Sequence, residues 1–185
     1  MLDIINAYVY KALDAYPHDM EETMQALELA LAYDERNVTA LTLMGRVHAE
    51  ILNDYETAII YFELVLAEEL KNLQVQSHYI KTLIWNDDID KAIEYIDYAL
   101  AIKGADKALL YLYKVYAFEK KEMYDKALEQ LKIVIKHTYN NEFEEYANEV
   151  KERIKKKRFL ANREPKNEYE GTSKNPKVKR FGFLF

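Results

Sequence analysis

Tyr55-Glu56-Thr57-Ala58-Ile59, Ile89-Asp90-Lys91-Ala92-Ile93 and Tyr124-Asp125-Lys126-Ala127-Leu128 are three versions of one pattern, and Met20-Glu21-Glu22-Thr23-Met24 is a weaker fourth. Measured at the small residue, Thr23, Ala58, Ala92 and Ala127, the pattern recurs at intervals of 35, 34 and 35 residues. Each copy continues to a bulky residue and then a small or β-branched one: Leu27 and Ala30, Phe62 and Val65, Ile96 and Ala99, Leu131 and Val134. Apolar residues three and four apart mark helices. A helical unit of this period cannot bury its own apolar face and must stack on its neighbours, so the expectation is an all-α solenoid of antiparallel helix pairs.

Working outward, apolar spacing and turn residues place the remaining helices. Leu2 to Ala15 ends at Tyr16-Pro17-His18-Asp19, because proline disfavours helical geometry in the residue before it. Met20 to Tyr33 completes the first pair. Val38 to Leu52 and Asp54 to Leu70 form the second, and Leu73 to Trp85 with Asp88 to Ile102 the third. Lys107 to Lys120 and Tyr124 to His137 form the fourth, entered through Lys103-Gly104-Ala105-Asp106, where glycine can take the left-handed conformation. A ninth helix from Asn141 to about Arg158 carries Phe143, Tyr146, Ala147, Val150 and Ile154 along one stripe. The expected organisation is four helix pairs over residues 1–140, a capping helix over 141–161, and a basic, aromatic tail over 162–185 that is extended or disordered.

The residues from about 3 to 140 resemble the tetratricopeptide-repeat family. The resemblance rests on the small residue opening each second helix, the aromatic or bulky residues three before and four after it, such as Tyr55 and Phe62, and Gly45 at the small contact position of a first helix. A small residue is needed where the two helices of a pair cross closely. The chain departs from the pattern in lacking the proline that usually ends a repeat and in having Ile80 and Val115 as counterparts of Gly45. What the resemblance implies is a right-handed superhelix whose first helices line a concave face, and a protein that binds other proteins. By register the candidate groove residues are Thr42, Arg46 and Glu50, then Ser77, Lys81 and Trp85, then Leu112, Tyr116 and Lys120. Arg46 and Lys81 would hold a peptide carboxylate, and Trp85 and Tyr116 would pack apolar side chains. Members that grip chaperone C-termini want asparagine where Arg46 and Lys81 stand, so that role is not expected. A small chaperone for assembling or secreted subunits is a more specific version of the adapter reading.

Composition narrows the remaining classes. Fifty per cent of residues are hydrophobic, yet no uninterrupted apolar stretch is long enough to span a membrane. The opening residues carry no export signal, and the absence of cysteine fits a reducing compartment, so a soluble, cytoplasmic protein is expected. His18, His48, His78 and His137 fall singly, Asn86-Asp87-Asp88 suits helix capping better than calcium, and neither a phosphate loop nor a nucleophilic triad stands out. No metal, cofactor or enzymatic activity is expected. Solenoids rarely build the dry pocket that catalysis requires. The sixteen tyrosines recur mostly at core spacing.

Charge is divided unevenly. Residues 151–185 carry twelve Lys and Arg against four Glu, a net +8, so with −6 for the whole chain the first 150 residues carry −14. A basic end on an acidic body suits contact with an acidic protein surface; the alternative is nucleic acid or an anionic membrane, which the acidic body would repel. Within that end, Lys177, Lys179 and Arg180 precede Phe181, Phe183 and Phe185 at alternate positions. Exposed phenylalanine is unfavourable, so this stretch is expected to dock on a partner or another copy of the chain.

Overall fold

The computed structural model describes residues 2–163, with side chains from Ala7 onward. It is built from α1 (Leu2–Ala15), α2 (Met20–Tyr33), α3 (Val38–Arg46), α4 (Tyr55–Glu68), α5 (Leu73–Trp85), α6 (Ile89–Leu100), α7 (Lys107–Lys120), α8 (Tyr124–His137) and α9 (Asn141–Ala161). Among the described residues there is no strand. Each helix packs chiefly on its neighbours in sequence, and the pairs stack into an all-α superhelical solenoid.

Capping chemistry explains the boundaries. Asp19, Asn37, Asp54, Asn72, Asp106 and Asn140 each accept a hydrogen bond from a backbone N–H two or three residues on, satisfying amides that a helix start leaves free. Asp54 is thus the cap of α4 and not its first residue, and α6 likewise begins after Asp88. The turn inside each of the second, third and fourth pairs needs one left-handed residue, which falls at Asn53, Asp87 and Glu122, two residues before the next helix every time. Gly104 has φ +91°, the conformation expected of it in the turn after the third pair.

Small residues set the distance between paired helices. Ala58, Ala92 and Ala127 are fully buried, and so are Phe62, Val65, Ile96, Ala99 and Val134 from the same repeated pattern. At Gly45 the approach is closest: a methyl group built there would lie 2.5 Å from the ring of Phe62. Ile80 and Val115, its counterparts, are themselves fully buried, so later pairs fill the equivalent space from the first helix. The core runs the length of the stack, from Val9, Leu27 and Val47, through Phe62, Ile80 and Ile96, to Leu131, Val150 and Ile154. Tyr79 follows the tyrosine pattern: its ring is buried edge-on against Tyr95, and its hydroxyl donates to Glu63 at 2.9 Å. Burial, then that hydrogen bond, pushes the phenol up to about 12.

The first helix of the second pair departs from the sequence reading. The expected continuous helix from Val38 to Leu52 changes after Arg46 into a π-helical turn, Val47–Leu52, in which the carbonyl of His48 accepts from the N–H of both Asn53 and Asp54. The last helix, α9, runs from Asn141 to Ala161. Its cap, Asn140, follows Asn37, Asn72 and Asp106 at intervals of 35, 34 and 34, so α9 occupies the register of a first helix in a fifth repeat. No second helix pairs with it among the described residues.

Substituting Gly45→Ala sets two effects against each other. Alanine gains about 1 kcal/mol of helix propensity, while forcing a methyl against a packed ring costs about 1–3 kcal/mol. The expected outcome in urea denaturation is a net loss of stability that disappears in a Phe62→Leu background. An unchanged or raised midpoint for Gly45→Ala alone would contradict the close crossing.

Candidate functional site

The first helices of the second and third repeats enclose a cleft of about 410 Å³. Leu13 of α1 closes one end, Val38, Thr42 and Arg46 form one wall, and Asn72 and His78 the other. Thr42 is oriented by its own hydroxyl, which donates to the Val38 carbonyl at 2.7 Å. One repeat further on, Ser77 lines a smaller hollow of about 150 Å³ with Gln76 and Asp106, the same position between α5 and α7.

Glu50 organises the floor of this face. The π-helical turn carries its carboxylate into the space between three repeats, where the Tyr16 hydroxyl donates to it at 2.7 Å, Arg46 at 3.3 Å and Lys81 at 3.3 Å, with His78 Nδ1 3.3 Å away. The Arg46 guanidinium also lies over the Tyr16 ring at 4.8 Å, and the Lys81 ammonium over Trp85 at 4.9 Å. Burial pushes the Glu50 carboxyl up, but the Tyr16 hydrogen bond and the two cations together hold it below the usual carboxylate value. His78 is pushed down, first by burial and then by Arg46, which favours its neutral form. Two cations facing one carboxylate leave this cluster with one excess positive charge, beside the cleft.

The candidate residues therefore divide. Thr42, Arg46, Glu50 and Lys81 come together, and Trp85 joins them through Lys81 while resting on Tyr55 at 5.8 Å. Leu112 requires correction. It is 3% exposed and packs with Val115, Leu131 and Val150, so it belongs to the core and not to the groove. Its position one residue off the polar register of α7 turns it inward. Tyr116 and Lys120 are engaged elsewhere: the Tyr116 hydroxyl meets that of Tyr146 on α9 at 2.7 Å, and Lys120 donates to the Ile84 carbonyl at 2.8 Å and to Asp87 at 3.2 Å, closing the end of α5. The tail residues Lys177, Lys179, Arg180, Phe181, Phe183 and Phe185 lie outside the described residues.

The basic helix α9 is tied down by ion pairs. Glu119, buried on α7, accepts a two-pronged hydrogen bond from Arg153 at 3.0 and 2.8 Å and pairs with Lys157 at 2.8 Å. Burial pushes the Glu119 carboxyl up, and those two cations more than reverse it. Arg158 pairs with Asp125 at 2.6 Å and Lys155 with Glu152 at 2.8 Å. Sequence reasoning passed over Glu119, Leu13, Asn72 and His78; only Asn72 had a legible signal, as a capping residue.

Comparison with known proteins bears on this face through its architecture. No protein-family model matches the sequence, and no curated protein matches it either. Among solved structures the chain is similar to MamA residues 41 to the end from Desulfovibrio magneticus RS-1, at a TM-score of 0.68 and 18% identity, over 86% of this chain and 90% of that one. A double mutant described as MamA RS-1 ArsTM gives 0.66 at 17% identity, over 90% and 98%, and a further MamA crystal structure gives 0.65 at 16%, over 95% and 100%. The likeness is one of fold: an all-α solenoid, which the described residues of the present chain share. Among the described residues, no helix is long and apolar enough to cross a membrane.

Because the folded carboxyl of Glu50 sits below its ordinary value of about 4.5, its pairing stabilises the stack fully above that pH and is lost as pH falls through the lower folded value. Glu50→Gln is expected to flatten this acid limb and to cost about 1–3 kcal/mol at neutral pH, the range for hydrogen bonds whose acceptor loses its charge. Thermal melts of both proteins from pH 3 to 7 check it; parallel curves would mean that Glu50 is not the hub of the network.

Proposed function

We propose that the protein is a non-enzymatic adapter or assembly factor that holds a segment of a partner protein in the concave cleft. The observation that carries this reading is the cleft itself, built by three successive repeats, with small apolar and hydroxyl side chains on its walls and one excess positive charge beside it. That mixture suits a short peptide presenting an acidic group next to compact side chains, with Arg46 and Lys81 sharing their charge between Glu50 and the ligand. Trp85 and Tyr55 offer an aromatic shelf at the adjoining edge. A role as a small chaperone for assembling subunits is the narrower form of the same reading, in a cytoplasmic setting. The stretch from Lys177 to Phe185 supplies a second, protein-docking element.

The alternative, nucleic acid or anionic membrane bound by the basic end, has less support. Arg153, Lys155, Lys157 and Arg158 already face carboxylates of this chain, and separating them from those partners would offset the gain from phosphate.

Selection of peptides from a displayed random library on the immobilised full chain tests the adapter reading. Acidic peptides are expected, and Thr42→Trp and Arg46→Glu should each weaken them at least about tenfold, or about 1.4 kcal/mol, while Lys126→Ala leaves them unchanged. Peptides that bind all variants alike, or no selected peptides at all, would refute the cleft as the binding site.

A further inference from the structure

The period of the chain marks a place that no described residue fills. With α9 in the register of a fifth first helix, its missing partner would lie against α8 and α9. A groove of about 410 Å³ runs there. Leu128, Leu131 and Ile135 form its apolar floor, and Lys151, Lys155 and Arg158 its wall on the α9 side. A second hollow of about 370 Å³ shares Asp125 and Arg158 with it and continues past Met123 to Ala161 and Asn162, where the described chain ends. Phe159 and Leu160, at the same end, are both more than half exposed.

We infer that this groove receives residues 164–185 of the same chain, folded back along α8 and α9 where the second helix of a fifth repeat would pack. Three observations favour the chain's own segment over any other occupant. The groove opens at the residues from which the segment departs, so its local concentration is set by a very short tether. The length suffices: returning from Ala161 to the level of Lys151 covers about 15 Å of helix axis, whereas the 22 residues reach up to about 70 Å when extended. The side chains also match. Glu164, Glu168 and Glu170 come first and would meet Lys151 on the α9 wall, and Phe181, Phe183, Leu184 and Phe185 supply the apolar surface that the Leu128, Leu131 and Ile135 floor lacks. The inference refines the tail docking proposed above by assigning it to the chain's own surface, and it is independent of the concave cleft; peptide selection could fail while this stands.

The absence of cysteine allows a single nitroxide to be placed at Lys179→Cys in the full-length chain, leaving every phenylalanine in place. Methyl NMR spectra should show Leu128 and Ile135 losing most of their intensity, and the loss should persist when the labelled chain is diluted with unmodified, isotopically silent chain. It should vanish when Phe181, Phe183 and Phe185 are replaced together by alanine. Unbroadened methyls would overturn the inference, as would broadening that passes between a spin-labelled and a separately isotope-labelled chain, which would assign the groove to a second copy. Broadening that survives the triple replacement would overturn the role of the phenylalanines.

Discussion

Everything in this molecule depends on how closely the two helices of each pair can cross. Nothing larger than a methyl group stands at Ala58, Ala92 or Ala127, and at Gly45 even a methyl group would strike Phe62. Close crossing lets the bulky residue one turn later, Phe62, Ile96 or Leu131, bury itself in the core. Repetition of one local packing rule, with no long-range design, yields the stack in which the cleft and the Glu50 network lie.

That face is less free than a row of polar residues suggests. Arg46 and Lys81 are not idle cations awaiting a ligand, since both already share Glu50 with the Tyr16 hydroxyl. Such a network links three repeats through one half-buried carboxylate. It ties these repeats together while leaving a single surplus charge to offer, and a ligand would compete with an internal anion as well as with water. At the other end of the stack, Glu119 does for α7 and α9 what Glu50 does for α3 and α5, using Arg153 and Lys157. Both hubs are acidic, which is one physical use for the negative balance of the repeats.

The fold was legible because its signal repeats: four copies of a spacing outweigh the ambiguity of any one, and capping residues such as Asn37, Asn72 and Asp106 mark the starts. The π-helical turn at Val47–Leu52 was not legible, since apolar residues continue through it at helical spacing. For the same reason Leu112 was assigned to the groove. A one-residue shift of register separates an inward from an outward side chain, and α7 carries apolar and aromatic residues all round, from Leu109 through Tyr113 to Phe118. Arg46, Glu50 and Lys81 were recognised individually; their mutual pairing depends on distances across repeats, which sequence does not encode in any local pattern. The period of 34 residues between Asp106 and Asn140 was present in the sequence and marks α9 as more than a cap.

If paired crossings are the units and stacking is only between neighbours, damage to one crossing should spread by a step and then fade. Native-state hydrogen exchange of the Ala92→Leu chain, resolved helix by helix, measures this directly. The account predicts the largest loss of protection in α5 and α6, a smaller loss in α4 and α7, and unchanged protection in α1 and α2. Equal loss in every helix would show a single cooperative body in which the crossings are not the units, and no loss in α5 and α6 would show that the crossing tolerates bulk after all; either result would contradict the account.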